Sequence, residues 1–233
     1  MASGETALIV GAGSGLSASL ARRFAKDGVK VALAARDTAK LGALAEEISA
    51  RTYGCDAAEA GQVEALFAAV TSDLGAPDIV VYNPSYRQRG PIVDLDPVEV
   101  EKVLKVCIFG GFLVAQAAAR QMIARGNGAI FFTGASASVK GYANSSSFAM
   151  GKFGMRGLAQ SLARELSPQN IHVAHFVIDG GILQGPDDAR AANRGADGML
   201  HPDAIAETYF NLWRQHRSAW TWEVELRPWV EKF

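Results

Sequence analysis

Cysteine is nearly absent: Cys55 and Cys107 are the only two in 233 residues. Two thiols this far apart in sequence make neither a disulfide framework nor a metal cluster, and they fit a reducing compartment. No run of like charge occurs, and 23 basic against 24 acidic side chains leave a net charge of −1. Nothing in that balance attracts nucleic acid or an anionic membrane surface. No uninterrupted apolar run approaches the ~20 residues of a membrane span. The opening residues, Met1-Ala2-Ser3-Gly4-Glu5, lack the basic segment and apolar stretch of a signal peptide. The expectation is a soluble cytoplasmic protein that acts on a small molecule, with neither nucleic acid nor membrane as a partner. No long linker and no internal repeat divides the chain, so residues 1–233 read as one domain.

What is present is an alternation of short apolar runs with longer amphipathic ones. Thr6–Val10, Val29–Ala35, Thr52–Cys55, Asp78–Tyr82, Ala129–Thr133, Ile171–Ile178 and Trp222–Leu226 read as strands. Between them, Leu16–Lys26, Lys40–Ala50, Val63–Leu74, Val98–Arg125, Ser147–Leu166 and Ala204–His216 have helical spacing. Repeated βα units of this length predict an α/β fold, a doubly wound parallel sheet of about seven strands with helices on both faces. Residues 183–201 carry the least pattern and contain Pro186. Ligands of such sheets bind outside the carboxyl ends of the strands, so a segment following the sixth strand is a candidate substrate lid. The alternative is a plain surface loop.

The segment Gly11-Ala12-Gly13-Ser14-Gly15-Leu16 follows a strand and opens a helix. Glycine there permits a tight turn and close backbone approach to a pyrophosphate, and the helix start offers free N–H groups to the anion. The tip of the second strand reads Arg36-Asp37. An acidic residue at that point accepts from a ribose 2′-OH, whereas an arginine pairs with a 2′-phosphate. Arg36 comes first, so NADP(H) is favoured over NAD(H), with Asp37 left to cap the next helix or to face the ribose.

The glycine turn, Asp56 after the third strand, Asn83 after the fourth and Lys152 in a late helix resemble the short-chain dehydrogenase/reductase family, from Thr6 to about Leu226. The resemblance implies a single Rossmann-type domain, an NAD(P)(H) cofactor and a homodimer or homotetramer. Within it, Gly11, Gly13, Ser14, Gly15 and Leu16 would form the pyrophosphate turn, although Ser17 stands where the family's last glycine usually is. Asp56 would approach the adenine, Asn83 would keep its place in an otherwise altered Tyr82-Asn83-Pro84-Ser85 element, Lys152 would hold the nicotinamide ribose, and Ile182 would lie against the nicotinamide. The family's catalytic Asn, Ser, Tyr and Lys fall on Cys107, Ala135, Phe148 and Lys152, with Ser136 next to Ala135 and able to take the serine's part.

Phe148 is the departure that matters most. Carbonyl reduction adds a hydride to carbon and a proton to oxygen, and a phenyl ring has no proton to give. A missing general acid costs about 10²–10⁴-fold in rate. Three readings follow: an NADP(H)-dependent oxidoreductase with another proton source (Ser136, Tyr142, a water held by Lys152 or a group on the substrate), a nucleotide-binding protein without turnover that serves as sensor or partner subunit, and a non-redox lyase or dehalogenase on the same scaffold. An apolar substrate wall of Phe148, Tyr142, Tyr86 and Met150 is expected. His172 and His175 alternate along a strand without a third ligand and read as strand residues; no metal is expected. The tail, with Trp220, Trp222 and Trp229, suits a subunit interface.

Overall fold

Successive side chains of β1 (Thr6–Val10) point to opposite faces, and both faces are buried: Ala7 and Ile9 on one, Leu8 and Val10 on the other. A strand covered on both sides is the signature of a parallel sheet between two helical layers. The computed structural model, which describes residues 4–185 and 187–231, has that arrangement. Seven parallel strands lie in the order β3-β2-β1-β4-β5-β6-β7. The others are β2 (Lys30–Ala35), β3 (Arg51–Gly54), β4 (Ile79–Tyr82), β5 (Gly128–Thr133), β6 (Ile171–Ile178) and β7 (Glu223–Leu226). This is the Rossmann-type sheet expected from the βα alternation.

Helices α1 (Leu16–Lys26), α2 (Gly42–Ile48) and α7 (Pro202–Trp213) cover one face, with Leu20, Phe24, Leu44, Ile205 and Tyr209 in one core cluster. Helices α3 (Ala60–Leu74), α5 (Gly110–Arg125) and α6 (Ser146–Leu166) cover the other, with Phe67, Val114, Ala118, Met155 and Ala159. Strand and helix bounds differ from the sequence expectation by no more than three residues at either end, and those of β1, α1 and β6 coincide with it; the residues just before α2 form a separate 3-10 turn at Ala39–Leu41.

The helix expected over Val98–Arg125 is three pieces on one axis: α4 (Pro97–Leu104), a π turn at Lys105–Phe109, and α5. By length and average composition its 29 residues would suffice to cross a membrane, although polar and charged side chains keep every uninterrupted apolar run in it well short of that length. The helix is a core element here: Val103, Cys107, Val114, Ala115, Ala118 and Met122 are buried.

Strand order reverses between β1 and β4, and the cleft at this switch point is where ligands of such sheets bind. Gly11, at the end of β1, has φ +79°, and a Cβ there would lie 2.6 Å from the Pro84 nitrogen after β4. Both the backbone angle and the neighbour therefore require glycine. Gly11→Ala is expected to destabilise the fold by about 1–3 kcal/mol and to weaken nucleotide binding, read by thermal melting and by NADPH titration. A variant that melts and binds like the parent would mean that this turn adapts freely.

Candidate active site

Two clefts meet at the switch point. The first, about 410 Å³, is lined by Gly11, Arg36, Asp56 and Asn83, together with Asp37 and Lys40. The second, about 450 Å³, is lined by Gly15, Leu16, Asn83, Ser136, Phe148, Lys152 and Ile182. Asn83 belongs to both. The sequence-predicted residues are thus brought together in one continuous groove, except Gly13 and Ser14, which lie in the turn between Gly11 and Gly15 and line neither cleft.

Gly15 precedes α1, and no side chain caps that end; the Ala18 amide donates to the Gly15 carbonyl at 2.9 Å, so the amides ahead of it are those left to meet an anion. The turn is braced from beneath: Ser17 Oγ donates to the Gly11 carbonyl at 3.0 Å, and Asn83 Nδ2 donates to Ser17 Oγ at 2.7 Å. Ser17 thus ties the end of β1 to the end of β4. Its place in the sequence carries one signal, a hydroxyl where a glycine is usual, but not the contact 66 residues away. At the β2 tip, Asp37 is engaged: it accepts from the Ala39 amide at 3.1 Å and pairs with Lys40 at 3.2 Å. Arg36 is exposed beside the first cleft and has no partner among the described residues. Asp56 accepts from the Ala58 amide at 3.0 Å, closing its own turn.

Lys152 and Phe148 are four residues apart on α6 and share a face. Lys152 is 2% exposed, and its Nζ donates to the Thr133 carbonyl at 2.8 Å. Burial pushes its pKa down to about 8. Phe148 is 4% exposed; the Lys152 ammonium lies 5.8 Å from its ring centroid, and the Arg87 guanidinium sits over the ring at 4.1 Å. Ala135 opens a 3-10 turn in which the neighbouring Ser138 side chain accepts from the Ala135 amide at 3.1 Å. Ser138 is thereby turned inward, and Ser136 is the serine of this turn that lines the cleft. Cys107 is fully buried in the π turn, its Sγ 3.5 Å from the Tyr86 carbonyl. Gly151 lets that turn approach, since a Cβ there would stand 2.9 Å from Cys107 Cβ.

The family profile for short chain dehydrogenases matches residues 5–184. The chain belongs to the short-chain dehydrogenase family. It is 30% identical over 216 residues to the sorbitol-6-phosphate 2-dehydrogenase of Escherichia coli, covering 89% of this chain and 83% of that protein. A short-chain dehydrogenase structure from Rhodopseudomonas palustris superposes with TM-score 0.82 at 35% identity, over 97% of this chain and 99% of that one. A metagenomic short-chain oxidoreductase in complex with NADP superposes with TM-score 0.85 at 28% identity, over 98% and 99% of the two chains.

Against this short-chain dehydrogenase frame, two expectations about the substrate wall are corrected. Met150 is 49% exposed and lines neither cleft, because two residues beyond Phe148 is more than half a helical turn away. Tyr86 packs behind the site with Val103, Cys107 and Phe148, and its hydroxyl is engaged by Glu99. Tyr142, 47% exposed, lines an outer vestibule of about 810 Å³ that opens from the second cleft. His172 and His175 are buried strand residues, and no group of metal ligands occurs among the described residues.

The segment 183–201 is tied at its base by Leu183 N–H to the Leu200 carbonyl and Leu200 N–H to the Gly181 carbonyl, both 2.9 Å. A short 3-10 turn at Ala191–Asn193 lies within it, and Pro186 falls outside the described residues.

Proposed function

We propose that this chain is an NADP(H)-dependent oxidoreductase for a small carbonyl or alcohol substrate, working without the family's tyrosine, whose place Phe148 takes. The carrying observation is a cofactor groove whose parts agree, beside a proton-handling set reduced to Lys152 and Ser136. The groove suits the dinucleotide on three counts: Gly11 cannot hold a side chain, the start of α1 is uncapped, and Arg36 has no acidic partner among the described residues while Asp37 is engaged. Gly11, Gly13, Ser14, Gly15 and Leu16 would cradle the pyrophosphate, Arg36 and Lys40 the 2′-phosphate, Asp56 the adenine, and Lys152 and Ile182 the nicotinamide end. When bound, NADP(H) supplies or accepts the hydride.

The proton is the chain's own task. One of the three ammonium donors of Lys152 is used by the Thr133 carbonyl, leaving two for water or substrate. Ser136 orients the substrate oxygen, and Lys152, with its pKa lowered to about 8, delivers the proton directly or through water near neutral pH. The whole chain acts as one domain, with residues 183–201 as a lid over the second cleft. Exposed Phe109 and Phe112, stacked at 6.5 Å on the α4–α5 helix, support a homodimer or homotetramer.

A second reading, a nucleotide-binding protein without turnover, rests on Phe148: the ring faces two cations and brings no protic group. A panel of carbonyl compounds with NADPH separates the two, since carbonyl-dependent oxidation of NADPH supports the first and tight binding with no turnover on any compound supports the second. Arg36→Leu is expected to weaken NADPH by about tenfold or more and leave NADH nearly unchanged, the loss of one charge-assisted pair. Equal loss for both nucleotides would reassign the 2′-phosphate contact.

A further inference from the structure

We propose that Arg87 and Arg89, where the second cleft opens into its vestibule, form a binding site for an oxyanionic group of the substrate, a carboxylate or a phosphate. The inference deepens the oxidoreductase reading of the same site by giving the substrate's chemical class.

The vestibule is lined by Arg87, Arg89, Arg190 and Arg194 against two carboxylates, Asp179 and Glu231. Those carboxylates already have cations: Asp179 meets Lys140 at 3.0 Å and Arg227 at 3.1 Å, and Glu231 lies 3.8 Å from Arg194. Arg190 is forked onto Asp188 at 2.9 and 2.6 Å. Arg87 and Arg89 have no acidic partner among the described residues. Two guanidinium groups two residues apart repel each other, and burial with this repulsion lowers the pKa of Arg87 below its ordinary value. An arriving oxyanion relieves that repulsion and satisfies forked donors that match its geometry.

The loop that carries them is held on both sides. The Tyr86 carbonyl faces Cys107 Sγ, Ser147 Oγ donates to the Gln88 carbonyl at 2.8 Å, and Gly90 N–H donates to the Asn144 carbonyl at 3.0 Å. The Phe148 ring then supports the Arg87 guanidinium, whose Cζ lies over it at 4.1 Å, and a ring face takes none of the guanidinium's N–H groups into an ion pair. The residue that brings no proton thus supplies the platform for a permanent positive charge at the reacting end of the cleft. Arg87 lines both the second cleft and the vestibule, so a group bound there lies next to Ser136 and Lys152.

The test uses the whole chain saturated with NADP⁺, titrated calorimetrically with oxalate and, separately, with inorganic phosphate. At least one is expected to bind, more weakly at high salt, and Arg87→Leu is expected to weaken it by about tenfold or more, with a smaller loss in Arg89→Leu. Oxalate alone marks a carboxylate substrate, phosphate alone a phosphate monoester, and both a general oxyanion site; each supports the proposal. No binding of either, or equal binding by the parent and both leucine variants with unchanged melting temperatures, overturns it. NADP⁺ binding by the parent is measured first. Its absence would remove the cofactor reading, and the same titrations without nucleotide would then decide the arginine site on its own.

Discussion

Phe148→Tyr raises the carbonyl-reduction kcat/KM by about 10²-fold, and toward about 10⁴-fold if the parent's substitute acid is poor. The gain corresponds to about 3–5 kcal/mol of transition-state stabilisation. The expectation rests on what surrounds the ring. A phenol placed there meets the Lys152 ammonium, 5.8 Å from the ring centroid, and the Arg87 guanidinium at 4.1 Å. Both charges favour the phenolate and lower the tyrosine pKa from about 10, which makes it a better acid near neutral pH. The added hydroxyl enters a site where Phe148 is only 4% exposed, so it must find a partner or cost about 1–3 kcal/mol in stability. Melting temperature and NADPH affinity are therefore read beside the rate. A folded, NADPH-binding variant with no gain on any carbonyl compound would mean that the missing hydroxyl is not what limits the parent.

The sheet was legible because each βα unit announces itself locally: an apolar run, a turn and an amphipathic stretch need only neighbours in sequence. Gly11, Arg36 and Asn83 were legible for a related reason, since each sits at the end of a strand and all parallel strands end at one edge. Contacts across that edge were not. The Ser17 bridge joins residues 66 apart, and the Arg87 stack on Phe148 joins residues of different loops and helices, with no periodicity linking them. Burial also escaped local reading. Tyr86 looked like wall and is packing, because the π turn brings Cys107 up behind it. Met150 is different: its offset of two from Phe148 already placed it on another side of α6, and that signal was present in the spacing. The segment 183–201 lacked pattern because its ties are not periodic: backbone bonds join Leu183, Leu200 and Gly181, and the Arg190 side chain donates to the Ile182 carbonyl.

Lys152→Met is expected to separate catalysis from stability, because the role proposed for its buried ammonium in the first comes at the expense of the second. The side chain is 2% exposed, and burial lowers its pKa from 10.5 to about 8. From about pH 8 to 10.5 the unfolded chain holds this proton more tightly than the folded one, so the lysine makes stability rise with pH across that window. Methionine has nearly the same length and no charge, and the variant should lose that rise. Below pH 8 its removal of a buried charge offsets the lost bond to the Thr133 carbonyl, so the melting temperature stays near that of the parent. Activity moves otherwise: reductive kcat/KM should fall by about 10²-fold or more. In the parent the same rate should decline above about pH 8, as the ammonium gives up its proton, and alcohol oxidation should gain there. The profile of kcat/KM against pH, with urea melts of parent and variant at pH 7, 9 and 10.5, checks both limbs. An unchanged rate profile in Lys152→Met would take the proton away from Lys152 and leave Ser136 or the substrate to supply it. A parallel shift of stability at every pH would instead mean that Lys152 is charged in the fold throughout, held by more than the Thr133 carbonyl.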